Sequence, residues 1–188
     1  MTIEKMKNRV REMITDKRYE HTLGVEYTAC CLAYRYGADP IKARIAAVLH
    51  DCAKYVPHAR MVEECEEAGC PVSDSERKNP ALLHAKLGAV YAEKYFGIRD
   101  PEILSAILWH TTGKPDMSLL DKIIYIADYI EPNRDKAPIL AQVRKEAFQD
   151  IDRCLILIME GMMNYLTSQN DLMDPMTKNA YDYYRTAD

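Results

Sequence analysis

Apolar residues at helical spacing, interrupted by helix-starting and helix-stopping residues, constrain this chain more than any other feature. Asp39-Pro40 and Asp100-Pro101 each set a capping aspartate before a proline. Proline suits the first helical position because the N–H it lacks would have no partner there. Behind Asp39-Pro40 runs the stripe Ile41, Ile45, Val48, Leu49 and Cys52; behind Asp100-Pro101 run Ile103, Leu104, Ile107 and Leu108. Spacing of this kind puts an apolar face toward a core.

The same reading extends along the chain. Ile3, Met6, Val10, Met13 and Ile14 mark a first helix, and a second is expected from Tyr19 to about Tyr36, with Gly37 as its C-cap. Val56-Pro57 ends the third helix. A weaker amphipathic helix turns Met61, Val62 and Cys65 inward, and residues 69–78 read as a polar loop. Asn79-Pro80 starts a helix that stops at Gly97. Ser118 with Asp121 resembles a capping box and opens a helix that reaches Asp128 before Glu131-Pro132. Pro138 to about Gln169 reads as helical with a break near 148–152, and from Asn170 no strong signal remains. No alternating strand pattern runs longer than four residues. The expectation is an all-α helical bundle, a single domain over residues 1–188.

Charge and length narrow the function classes. The 188 residues suffice for one buried core, and a net charge of -4 argues against a nucleic-acid partner. The apolar run Cys154–Met159 is too short to cross a bilayer, and Met1–Lys7 has no apolar signal core. Six cysteines without a C-x-x-C pattern suit a reducing cytoplasm. A small anionic substrate fits an acidic chain if a bound cation dominates the local field.

Several apolar helices carry side chains that such helices ordinarily avoid. His50-Asp51 closes the third, with Lys54 three residues on. Of the five histidines, His21, His50, His84 and His110 lie in or at the ends of strongly patterned helices, and Asp128 follows the run Ile123–Ala127. His58, after Pro57, reads as a surface residue. Taken singly, each is an ordinary cap or core polar group. Together they are costly to bury without partners, and a shared metal meets several of those costs at once. Imidazole and carboxylate ligands suit iron, manganese, cobalt or zinc.

Five ordered blocks carry a family resemblance: Arg18-Tyr-Glu-His-Thr-Leu-Gly-Val, Leu49-His-Asp-Cys-Ala-Lys, Leu82-Leu-His-Ala-Lys-Leu-Gly-Ala, Ile107-Leu-Trp-His-Thr-Thr-Gly and Ile126-Ala-Asp-Tyr-Ile-Glu-Pro-Asn-Arg. They resemble the HD-domain metal-dependent phosphohydrolases, in their dinuclear branch. More closely, from about residue 9 to 165, they resemble the YqeK family of bacterial symmetrical dinucleoside-tetraphosphate hydrolases. The tail Asp174-Pro-Met-Thr-Lys-Asn matches that family's pattern loosely.

The resemblance implies an HD-type phosphohydrolase with its motif core over about 18–134, splitting diadenosine tetraphosphate (Ap4A) into two ADP by a di-metal-activated water or hydroxide. It implies one divalent metal on His21, His50, Asp51 and Asp128 and a second on His84 and His110, with Asp51 bridging. Iron is the expected metal, as one or two ions. Asp51, Lys54 and Arg134 are the expected catalytic residues. Arg18, His21, Lys54, His84, His110, Thr111 and Arg134 are the expected nucleotide and phosphate contacts. The sequence leaves a homodimer open. Two other readings stand beside this one: an HD nucleotidase or phosphodiesterase on another nucleotide, and a nucleotide-binding regulator with a structural metal. A closed four-ligand cage marks a structural zinc, whereas six ligands spread over two metals leave open positions.

Overall fold

The computed structural model describes residues 1–137, 139–169 and 173–186. Pro138 and Asn170, where the sequence expects a helix to begin and patterning to fade, lie outside them. Among the described residues there is no strand. The elements are α1 (Ile3–Met13), α2 (Asp16–Tyr36), α3 (Pro40–Leu49), α4 (His58–Glu67), α5 (Asp74–Lys78), a 3-10 turn (Pro80–Leu82), α6 (Leu83–Phe96), α7 (Pro101–Trp109), α8 (Leu119–Ile130), α9 (Leu140–Glu146), α10 (Ile151–Gln169) and α11 (Pro175–Thr186). No described helix is long and apolar enough to cross a membrane.

Local chemistry sets most of these boundaries. The Asp39 carboxylate accepts from the Ile41 and Lys42 backbone N–H groups, and the Asp100 carboxylate accepts from Glu102 N–H. Gly37 ends α2 in the left-handed region at φ 75°, its N–H donating to Ala33 O. Ser118 and Asp121 form the full reciprocal capping box at the start of α8.

Several expectations are corrected: α3 ends at Leu49, with His50 as its C-cap, rather than at Val56-Pro57, and Ile41 of its stripe is 52% exposed. α2 begins at Asp16 rather than Tyr19, because the Thr15 hydroxyl caps Arg18 N–H. The segment read as a polar loop contains α5, opened by a capping box between Ser73 and Glu76. The tyrosine-rich tail, which gave no strong signal, forms α11 with Thr177, Ala180 and Tyr184 buried. The break expected near 148–152 separates α9 from α10.

α8 is the central strut. It packs against α2, α3, α7 and α10, and Leu120, Ile123, Ile124 and Ile126 along it are buried. Truncating one such isoleucine to alanine costs about 2–5 kcal/mol. α2 lies along α3, and α6 along α7. Gly88 tightens this bundle at the point that matters for the site, since a Cβ there would lie 3.3 Å from His50 O. The glycine lets α6 press against the end of α3. His84, one turn before Gly88 on α6, is thereby brought up to Asp51.

Candidate metal centre

Three helix ends, one helix start and the first half of α2 converge on one spot. His50 and Asp51 follow α3, His110 follows α7, His84 lies in the first turn of α6, Asp128 in the last turn of α8, and His21 in the first half of α2. His50, Asp51, His84 and His110 are between 0% and 3% exposed, so their polar atoms have little access to water.

The imidazoles are oriented from behind. Nδ1 of His50 lies 2.6 Å from Ala47 O, and Nδ1 of His110 lies 2.7 Å from Ile107 O. His84 Nδ1 meets Ala81 O in the same way. Only an N–H can make such a contact, so the proton of each neutral ring sits on Nδ1. The Nε2 lone pair then faces the centre. His21 reaches the same state through another partner, its Nδ1 donating to Glu131 Oε1 at 3.2 Å. A histidine whose far nitrogen is fixed by a carbonyl or carboxylate is the usual form of a metal ligand.

Asp51 faces both halves of the cluster. Its Oδ1 lies 3.2 Å from His84 Nε2 and 3.7 Å from His110 Nε2. Its Oδ2 lies 3.3 Å from His50 Nε2 and 3.9 Å from His21 Nε2. Asp128 Oδ1 stands 3.0 Å from His21 Nε2. Three sets of possible ligand atoms fall within 4.8 Å of one another: His21, His50 and Asp51; His50, His110 and Asp128; and Asp51, His84 and His110.

These residues fit a cation. His84 Nε2 and His110 Nε2 are 3.1 Å apart, two lone pairs facing each other when both protons are on Nδ1. The buried His21 Nε2, His50 Nε2 and Asp51 Oδ1 have no hydrogen-bond partner among the described residues. Unsatisfied buried polar atoms cost about 1–3 kcal/mol each, and positive charge among them removes the cost. The protonation states agree. Burial pushes His84 down to about 4, against the pull of Asp51, so the ring is neutral at neutral pH. Burial alone would raise the Asp51 carboxyl, but His50, His110 and His84 hold it well below the usual carboxylate range. Asp128 is likewise held low, against burial, chiefly by His21.

Cations line the mouth. Arg18 Nη1 donates to Asp51 Oδ2 at 3.1 Å, and Lys54 Nζ donates to His84 Nε2 at 3.1 Å. Arg134 folds back from the loop after α8, donating to Asp128 O at 2.9 Å and Asp128 Oδ1 at 3.2 Å. Thr111 Oγ1 lies 3.3 Å and 3.2 Å from the His84 and His110 Nε2 atoms. A cavity of about 250 Å³ opens here, lined by Arg18, Lys54, Thr111, Tyr129 and Arg134 together with ligand candidates. Every residue named from the sequence as ligand, catalytic group or phosphate contact therefore lies at this one place. His58, read as a surface residue, is exposed at the start of α4.

Two residues that support the cluster escaped the sequence reading. Glu131 marked only a helix end, yet it is 2% exposed and holds His21. Its second oxygen accepts from Asn133 N–H at 2.7 Å. Arg144 fixes the loop that carries Glu131 and Arg134, donating to Glu131 O at 2.7 Å and Arg134 O at 2.8 Å. The signal for Glu131 was its place three residues after Asp128, one turn on along the same helix face. Nothing local marked Arg144.

The chain is similar to known proteins over most of its length. The HD domain family model matches residues 18–133. A protein of Bacillus subtilis (strain 168) described as a symmetrical bis(5'-nucleosyl)-tetraphosphatase is 42% identical over 93% of this chain and 92% of its own length. One of the same description from Staphylococcus aureus is 34% identical over 100% of this chain and 97% of its own. The crystal structure of an HD superfamily hydrolase from Clostridium acetobutylicum, described as involved in NAD metabolism, superimposes with a TM-score of 0.97 at 38% identity. It covers 100% of this chain and 99% of its own.

Proposed function

The chain belongs to the HD-domain family and, within it, to the symmetrical bis(5'-nucleosyl)-tetraphosphatases, and on that footing we propose that its His/Asp centre hydrolyses Ap4A at the middle of the tetraphosphate to give two ADP. The observation that carries this is the two-faced Asp51 carboxylate, one oxygen toward His84 and His110 and the other toward His50 and His21.

Divalent metal would be held by His21, His50, Asp51 and Asp128 and by Asp51, His84 and His110, and when bound would supply Lewis-acid polarisation of a phosphoryl oxygen and a lowered pKa for water. The chain's own groups do the rest. Arg18, Lys54 and Arg134 neutralise the phosphates and hold a central phosphorus over the ligand cluster. Thr111 offers a hydroxyl to the same phosphates. In the reaction a water oxygen bonds to that phosphorus, the P–O bond to the bridging oxygen breaks, and that oxygen departs with the second ADP. Asp51, ionised and facing the cluster, is suited to orient the attacking water.

Iron is the proposed metal, with manganese, cobalt and zinc also suited to this ligand set. The six cysteines are free thiols, which supports a cytoplasmic setting. Residues 1–188 form one domain in this reading, and a homodimer is its expected assembly, which the mass of the protein in solution tests. The decisive experiment supplies Ap4A to the purified protein with ferrous iron or cobalt under reducing conditions. ADP as the sole nucleotide product is expected; ATP with AMP, or no turnover, overturns the reading.

A further inference from the structure

A substrate cut at its midpoint must extend to both sides of the scissile phosphorus. The cavity over the cluster, about 250 Å³, falls below the size of pockets that hold even one drug-sized ligand. Its walls are shared with two neighbours. One, of about 240 Å³, begins at Thr111 and is lined by Trp109 and Met176. The other, of about 370 Å³, begins at Tyr129, Arg134 and Met162 and continues past Lys136, Gly161 and Tyr165.

We infer that the cavity lined by Tyr129, Arg134, Lys136, Met162 and Tyr165 binds the second nucleoside of the dinucleotide substrate. This rests on the tetraphosphatase reading. The nucleoside on the opposite side is left to the cavity beyond Thr111, so the tetraphosphate lies across the metal centre.

The chemistry of the walls matches a purine nucleoside attached to phosphate. Tyr165, 51% exposed on α10, stands at the wall of this cavity with its ring open for something to cover. A purine face does so, since aromatic rings stack on any base. Met162 adds a polarisable thioether that adapts to the ring edge. The Arg134 guanidinium lies 5.7 Å from the Tyr129 ring centroid while also bonding Asp128, so it stands at the passage between cluster and cavity. Lys136 is exposed at the cavity wall and supplies a second cation for that half's phosphates.

The test compares Ap4A with adenosine 5'-tetraphosphate, which keeps four phosphates but only one adenosine. For Tyr165→Ala, the ratio of kcat/KM for Ap4A to kcat/KM for adenosine tetraphosphate falls about tenfold, the size expected for one lost base stack. Tyr165→Phe keeps the ring and keeps the ratio. General loosening of α10 would lower both substrates together, so an unchanged ratio in Tyr165→Ala overturns the subsite alone. If the wild-type protein releases no ADP from Ap4A, the tetraphosphatase reading fails and the subsite with it.

Discussion

Glu131 Oε1 lies 3.2 Å from His21 Nδ1, a contact across 110 residues of chain that fixes the ring from outside the cluster. The carboxylate is buried against Gly24, where a Cβ would come within 2.4 Å of Glu131 Oε2. Gly24 therefore leaves the space in which the pair forms, one turn along α2 from His21.

Loss of this outer contact should weaken metal binding without unfolding the helix bundle. Glu131→Gln is expected to lower cobalt affinity about 10- to 100-fold, as changes to a ligand's outer partner commonly do. Gly24→Ala should shift it in the same direction by displacing the carboxylate. Competitive titration followed by the cobalt visible spectrum measures both. Unchanged affinity in both variants would mean that Glu131 serves only the loop.

Metal and fold should be linked through the unpaired buried atoms. Metal at a hundredfold excess over its dissociation constant adds about 2.7 kcal/mol to stability. For a chain of this size that corresponds to a rise in Tm of about 5–10 °C. Differential scanning calorimetry with chelator and with added cobalt reads it, and coincident curves would contradict the linkage.

Each half of the cluster should be separable by substitution. His50→Ala and His84→Ala are each expected to reduce bound metal and to lower ADP release by more than about 100-fold, exceeding the effect of an outer partner. Asp51→Asn should lower metal content most, because its carboxylate faces both halves. Elemental analysis beside far-UV circular dichroism distinguishes ligand loss from unfolding.

A pH effect is expected away from the cluster, at Glu76. Burial alone would raise this carboxyl, but Lys86 at 2.8 Å and the Ser73 N–H hold it below its ordinary value. A depressed folded pKa gives stability that is present above the unfolded value and lost as pH falls through the folded one. Glu76→Gln should therefore be less stable than wild type by about 1–2 kcal/mol near pH 7. The difference should shrink below the ordinary carboxylate value of 4.5. Urea titrations across pH measure it, and a gap that persists into acid would refute the assignment. Tail docking depends on the same short helix, since Ser75 Oγ donates to Asp174 Oδ2 at 2.7 Å.

Much of this protein was legible one helix at a time. Asp39, Asp100 and Ser118 cap their helices because a side-chain oxygen two or three residues from an unpaired N–H is a purely local relation. The apolar stripes and the unusual histidines and aspartates within them are equally visible in sequence. Thr15, Ser73 and α11 were missed for want of a strong stripe behind them. Their ends are set by one hydroxyl each at Thr15 and Ser73, and by docking of Thr177, Ala180 and Tyr184 at α11.

The sequence by itself determined the all-α architecture and which side chains bear the chemistry, because helical period and residue type are properties of neighbouring positions. Tertiary structure alone decided that the two Asp51 oxygens face different imidazole pairs, that Gly88 admits His84 to the centre, and that Glu131 rather than a backbone carbonyl orients His21. It also decided that α10 walls a cavity beside the cluster. Those relations depend on how closely helices approach across the bundle, and approach distance is set by packing between segments far apart in the chain.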